Sequence, residues 1–114
     1  MQGVGLDNLE APGINLSGLN FTGGDVHNDN LSNANLSNAN LTNTNITNNN
    51  FQGTNLRTVQ WSGADARNID FTNADLTGGL NFNTTNRSGV TWSNTTCPDG
   101  TNSNNNGNTC EGHF

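Results

Sequence analysis

The chain has 114 residues, enough for one domain, and carries nine acidic side chains against three arginines and no lysine, for a net charge of −6. An acidic chain without a basic face argues against nucleic acid as a ligand, and no apolar run approaches the roughly 18 residues of a membrane span. Leu, Ile, Val and Phe supply only 22 of the 114 residues and Asn another 26, a composition at the edge of intrinsic disorder, so any fold must come from placement rather than from apolar content.

Placement is regular from the start. An apolar residue returns at every fifth position: Leu6, Ala11, Leu16, Phe21, Val26, Leu31, Leu36, Leu41, Ile46, Phe51, Leu56, Trp61, Ala66, Phe71 and Leu76. One residue is inserted near Gly78-Gly79, and the frame resumes with Phe82, Arg87, Trp92 and Cys97. Eighteen of these nineteen slots are apolar, which chance does not produce at this composition. The slot two earlier is mostly small or apolar, as in Ile14, Leu19, Ala34, Ala39, Val59, Ala64, Ile69, Ala74, Leu80 and Val90. Residues two apart share a face of extended chain, so both slots point inward. The slot two after the centre is almost always Gly or Asn, the residues that tolerate positive φ and turn the chain.

A turn every five residues, always in the same sense, closes a square after four units, and twenty residues make one coil. Residues twenty apart then stack about 4.8 Å apart. Four inward columns result: Leu16, Leu36, Leu56, Leu76 and Cys97; Phe21, Leu41, Trp61 and Phe82; Val26, Ile46, Ala66 and Arg87; Leu31, Phe51, Phe71 and Trp92. The prediction is an all-β solenoid with outward Asn, Ser and Thr ladders.

At the N-terminal end the frame runs back through Leu6 to Met1 with no amphipathic helix before it. Coil ends expose strand edges, so this end is expected to be covered, most simply by a second copy in a two-fold homodimer. No leader is visible, and the Met1-Gln2-Gly3 start reads either as native or as a start placed where a leader was removed. Further along, Asp25 and His27 flank Val26 and are the one pair with metal-ligand character. Zinc takes three or four such ligands, so the plainer reading is a solvated edge, with no metal and no cofactor. Asp29 and Asn49 fall in inward slots one coil apart, where they either hydrogen-bond to each other or Asp29 swings out. The Asn-x-Ser/Thr triplets, such as Asn15-Leu16-Ser17, match glycosylation sequons as a by-product of the repeat. Asp65, Asp70 and Asp75 lie on three different faces and do not form a catalytic pair. Nucleophile elbow, Gly-rich phosphate loop and Cys-x-x-Cys are all missing, so no enzymatic activity is expected.

The units "ANLSN", "ANLTN", "ADLTG" and "ADARN" resemble the A-(D/N)-L-x-x unit of pentapeptide-repeat proteins, over about residues 4 to 97. The resemblance implies a right-handed quadrilateral β-helix, here a little under five coils and roughly 22 Å long at strand spacing. Arg87 then stands in an inward slot, where a bare guanidinium costs several kcal/mol. The expectation is that "NTTNRSG" bulges and turns it outward. Residues 1–97 read as the β-helix and 98–114 as a capping tail. Cys97 lies above Leu76, and the chain turns at Pro98-Asp99-Gly100 and runs to Cys110. The two cysteines form either a disulfide that pins the loop over the last coil or two separate thiols. The tail resembles the Cys-containing tail of some bacterial members of the family. A disulfide implies an oxidising compartment: periplasm, cell exterior or an organelle lumen. His113 is assigned no role.

Three functions fit. The first is a non-enzymatic, rigid, secreted scaffold that presents flat faces to a protein or glycan. The second, carried by the family resemblance, is a DNA mimic acting on DNA gyrase; it wants a dense acidic stripe, and here the acids are scattered. The third is ice binding, for which the outward column Thr22, Thr42, Ser62, Asn83 is short and impure.

Overall fold

Asn and Gly at the turn slot and apolar residues at the inward slots build the same unit over and over. A computed structural model describes residues 5–114; the continuation of the frame to Met1 lies outside the described residues. Strands β1 (Gly5–Asp7) and β2 (Asp25–His27) pair in parallel with Leu6 opposite Val26. Elsewhere each side of the coil is reduced to one bridging residue, and the bridges march by twenty: Asn15, Asn35, Asn55 and Asp75 pair successively in parallel. Leu36 N–H donates to Asn55 O at 2.8 Å, and Asn55 N–H donates to Ala34 O at 2.9 Å. At most corners the turn closes on itself, as where Ala39 N–H donates to Leu36 O at 3.1 Å. The turn residues Asn33, Asn38, Asn43 and Asn48 have φ between 53° and 62°, a left-handed conformation that Asn tolerates and bulkier residues avoid. The result is a four-sided β-helix with extents of 35 × 25 × 23 Å.

The interior is dry and narrow. Leu36, Leu41, Ile46, Phe51, Leu56, Trp61, Ala66, Phe71 and Leu76 are fully buried, and Leu16 nearly so. Phe21, Val26, Leu31 and Phe82 are buried with them, whereas Leu6, Ala11 and Trp92 pack on the core only in part. Phe71 lies at the centre of an aromatic stack with Phe51 at 5.9 Å, Trp61 at 6.1 Å, Phe82 at 6.2 Å and Trp92 at 5.1 Å. Threonines in the small inward slot are satisfied by the coil before: the hydroxyls of Thr44, Thr54 and Thr95 donate to Phe21 O, Leu31 O and Phe71 O, all at 2.8 Å.

The insertion is not at Gly78-Gly79. Gln60 pairs with Leu80 at a spacing of twenty, and Asp65 pairs with Asn86 at twenty-one, so the extra residue follows Leu80. Leu80 therefore occupies an outward slot and is 53% exposed, contrary to its expected inward place. Gly79 holds the small inward slot instead, because the Trp61 indole fills the space: a Cβ on Gly79 would meet Trp61 Nε1 at 3.0 Å. Asn81 turns left-handed at φ 59°, and a 3₁₀ turn, Phe82–Thr84, swings Phe82 in beside Trp61, edge-on at 5.0 Å.

Asp29 does not swing out. It is 3% exposed, and Asn49 bonds to its backbone rather than to its carboxylate. Asn49 Oδ1 accepts from Asp29 N–H at 2.9 Å, and Asn49 Nδ2 donates to Ile46 O and Val26 O. Asp29 Oδ1 repeats the first contact one coil earlier, accepting from Leu9 N–H at 2.7 Å, but its Oδ2 is buried without a partner. Burial pushes this carboxyl above the usual carboxylate range, against the Leu9 N–H, which lowers it. A raised folded pKa means the fold carries a penalty while Asp29 is charged, and the penalty fades as pH falls through that pKa. Asp29→Asn supplies the missing donor. It is expected to stabilise the protein at pH 7 by about 1 kcal/mol, several degrees in Tm. The gain should shrink toward the pH at which the wild-type carboxyl is protonated. Thermal melts of both proteins across pH 3–8 check this, and a pH-independent difference would contradict it.

Candidate functional site

Outward positions repeat one local arrangement. The Asn or Asp before most centres accepts from the N–H two residues on, as Asn35 Oδ1 does from Ser37 N–H at 2.9 Å and Asp70 Oδ1 does from Thr72 N–H at 2.9 Å. The same oxygen takes the Ser or Thr hydroxyl, as from Ser37 at 2.7 Å. Short polar side chains that close such local rings stiffen the turn and hold the outer surface in register.

The weak metal candidate, Asp25 and His27, has Asp7 as a further neighbour. His27 Nε2 lies 3.1 Å from Asp7 Oδ1, across one coil, while its Nδ1 is 3.9 Å from Asp25. Among the described residues no group of three His, Cys, Asp or Glu is placed to hold a metal ion. Asp65, Asp70 and Asp75 each have their own neighbours. Asp65 makes a two-pronged pair with Arg67, both contacts at 2.8 Å. Asp75 pairs with Arg57 at 3.0 Å, and Asp70 accepts from Gln52 at 2.6 Å. Burial raises the carboxyls of Asp70 and Asp75, but the hydrogen bonds from Thr72 and Thr77 outweigh it and hold both below the usual range.

The C-terminal end is closed by a lid that the sequence shows only in outline. Cys97 and Cys110 are bonded, and both are fully buried. The returning chain lays an edge on the last coil: Thr96 pairs with Asn102, and Ser103 N–H donates to Thr95 O at 2.8 Å. Arg87 is not turned outward. Its side chain is 17% exposed and lies across the end of the core. Nη1 donates to Phe82 O, Thr85 O and Thr85 Oγ1, and Nε and Nη2 grip the two Glu111 oxygens at 2.7 and 3.0 Å. The guanidinium also covers the Phe114 ring at 4.5 Å, and Phe114 packs on Phe82 at 4.8 Å. The inward cation is thus paid for by a carboxylate, three acceptors and an aromatic face. His113 also has a place, with Nδ1 3.0 Å from Asp99 Oδ2. Glu111, the lone acid near Arg87 in the tail, was the available signal for this lid.

A shallow, open groove indents the surface. It measures about 450 Å³ and is lined by Asn48, Asn49, Asn50, Gln52, Asn68, Ile69, Asp70, Gly89 and Thr91. It crosses three successive coils at the corner that follows the Val26–Ile46–Ala66–Arg87 column. Sequence reasoning missed it; the unbroken Asn48-Asn49-Asn50 run was the only hint. Gly89 has φ +66°, the left-handed turn that Asn48 and Asn68 adopt on the coils before, and a Cβ there would displace the Asn68 amide, whose Oδ1 it would meet at 2.2 Å.

The family model for the pentapeptide repeat region matches residues 14–92. Among solved structures the chain is similar to HetL, a pentapeptide repeat protein involved in heterocyst differentiation regulation in the cyanobacterium Nostoc sp. strain PCC 7120, with 19% identity and a TM-score of 0.56. That match covers 81% of this chain and 42% of HetL, so the chain spans less than half of that protein. It is also similar to a pentapeptide repeat protein of the Arabidopsis thaliana thylakoid lumen, at 22% identity and a TM-score of 0.45 over 77% of this chain and 64% of that one. A third, Rfr23 from the cyanobacterium Cyanothece 51142, has 19% identity and a TM-score of 0.39 over 78% and 84%. Likeness at these identities speaks to fold alone. No curated protein matches the sequence. With the repeat motif matched over more than two thirds of its length and the twenty-residue coil seen in its hydrogen bonds, the chain belongs to the pentapeptide repeat family.

Proposed function

We propose that the protein is a non-enzymatic, rigid scaffold that presents its outer faces to a protein or glycan partner in an oxidising compartment. The observation that carries this reading is the outer lattice of Asn, Ser and Thr, held in register by side-chain-to-backbone bonds on successive units. Such a surface offers many fixed donors and acceptors and no convergent acid–base group. The buried Cys97–Cys110 disulfide supports a location outside the reducing cytosol. Ice binding fits less well, because the Thr22 and Thr42 hydroxyls donate to Asn20 and Asn40. A DNA mimic fits less well because Asp65 and Asp75 are neutralised by Arg67 and Arg57.

The proposed assembly is a homodimer through the N-terminal coil, where Leu6, Ala11, Ile14 and Leu19 are only partly buried. Light scattering should give twice the 12.0 kDa chain mass. The functional reading is tested by incubating the folded protein with extracellular proteins and polysaccharides and analysing what is retained. A partner recovered stoichiometric and chemically unchanged is expected. Turnover of the partner, or retention only by DNA gyrase, would overturn the reading.

A further inference from the structure

We infer that the groove at residues 48–52, 68–70 and 89–91 is a binding site for a neutral polysaccharide strand, an inference that rests on the scaffold reading and narrows it to one surface and one ligand class. Some of the groove's side chains are already committed to the wall. Asn49 is spent inside the wall, its amide bonded to Ile46 O, Val26 O and Asp29 N–H. Asp70 is spent on Thr72 and Gln52. The remaining polar groups are not: the side-chain amides of Asn48 and Asn68, Asn50 Nδ2, Gln52 Oε1 and the Thr91 hydroxyl enter no protein hydrogen bond among the described residues. They stand around the exposed, bare backbone of Gly89, beside the wall in which Ile69 is buried.

Three features select the ligand. The groove holds both donors and acceptors, matching hydroxyls, which are both. Its one charge, Asp70, already has three hydrogen bonds and stays ionised, so neither a cation nor an anion is called for. Protein partners are usually anchored by Trp, Tyr or Arg in apolar pockets, and none of these lines the groove. The spacing agrees as well. Equivalent side chains recur on successive coils, as Asn48 to Asn68 and Asn50 to Asp70, at about 4.8 Å, close to the advance of one residue in an extended β-linked sugar chain. A strand lying along the axis meets side-chain amides on two coils, then the Thr91 hydroxyl and the bare backbone of Gly89 on the third.

The experiment titrates the ¹⁵N-labelled full chain with cellohexaose, and with polygalacturonate and a neutral Ser/Gly peptide as comparisons. The expected result is that cellohexaose shifts the side-chain amide signals of Asn48, Asn50, Gln52 and Asn68 and leaves those of Asn35 and Asn55, on another face, in place. Asn48→Gly and Asn68→Gly keep the left-handed turns and remove the amides, and Thr91→Val removes a hydroxyl; the triple variant should bind at least about tenfold more weakly while its Tm stays within a few degrees of wild type. Sugar binding that the triple variant retains overturns the groove assignment but leaves the glycan-scaffold reading intact. Shifts with the peptide alone overturn the ligand class. No shifts with any of the three probes overturns the inference, and the scaffold reading then stands or falls on the retention experiment. If the triple variant unfolds, mapping on the wild-type chain decides.

Discussion

Phe71→Ala is expected to lower stability by about 3–5 kcal/mol, the range for emptying a large aromatic from a core that cannot collapse around the hole. The ring is fully buried and touches four other aromatics, two on neighbouring coils of its own column and two on the opposite column across the core. Collapse is blocked by the fold. Each coil is pinned to the next by hydrogen bonds at every side, such as Phe71 N–H to Thr91 O at 3.0 Å and Phe51 N–H to Asp70 O at 2.9 Å. The walls therefore stay at strand spacing and the cavity stays open. In a stack where coils contact only their neighbours, damage in the middle also weakens the junction between the two halves. For a domain of ordinary stability, about 5–15 kcal/mol, this is a large share. Urea denaturation of wild type and variant measures it. A loss under about 1.5 kcal/mol would mean that the helix contracts around the gap, contrary to the rigidity assigned to it.

Cys97→Ala with Cys110→Ala is expected to cost about 3 kcal/mol, the chain-entropy value for a closed loop of this size, with a separation of 13 residues. Alanine is the right replacement because both sites are fully buried, and a serine hydroxyl there would add a cost of its own. Tm should fall by about 10–20 °C, and reductant should bring the wild type down to the level of the variant. The fold itself is expected to survive. Arg87 still grips Glu111 and covers Phe114, and Asp99 still pairs with His113, the Asp99 carboxyl being held below its usual range first by the Thr101 hydroxyl and N–H and then by His113. If reductant changes neither Tm nor proteolysis of the tail, the non-covalent contacts alone close this end. The proposed oxidising compartment then loses its support.

The sequence alone was sufficient for the architecture, because a five-residue period leaves few choices. Positive φ is needed at one slot in five, and Asn or Gly stands there in nearly every unit, Thr58 at φ 57° being an exception; apolar bulk is needed at another, and Leu, Phe or Ile stands there in most. These are local requirements, met within each unit, so they are written in each unit. The errors came where a residue answers to the coil before it rather than to its own unit. Leu80 looks like an inward residue and Gly79 like part of the insertion, and the volume of the Trp61 indole on the coil before reverses them. Arg87 looks too costly to face inward, and only Glu111, Phe82 and Phe114 make that place tolerable. Asn49 looks like a partner for the Asp29 side chain, yet it bonds to the backbone that a wider corner leaves open.

The groove belongs wholly to the second kind. Its members lie on three coils, and none departs from its own unit's pattern enough to mark a site: Asn48 and Asn68 are turn residues, Asn50 and Asp70 are the ordinary ring-closing residues before a centre. Period, inward columns and turn chemistry were thus determined by the sequence itself, since each follows from the conformational preference of single residues. The place of the insertion, the lid over the C-terminal end and the groove were decided only by the tertiary structure, since each depends on which side chains the stacking of coils brings within contact.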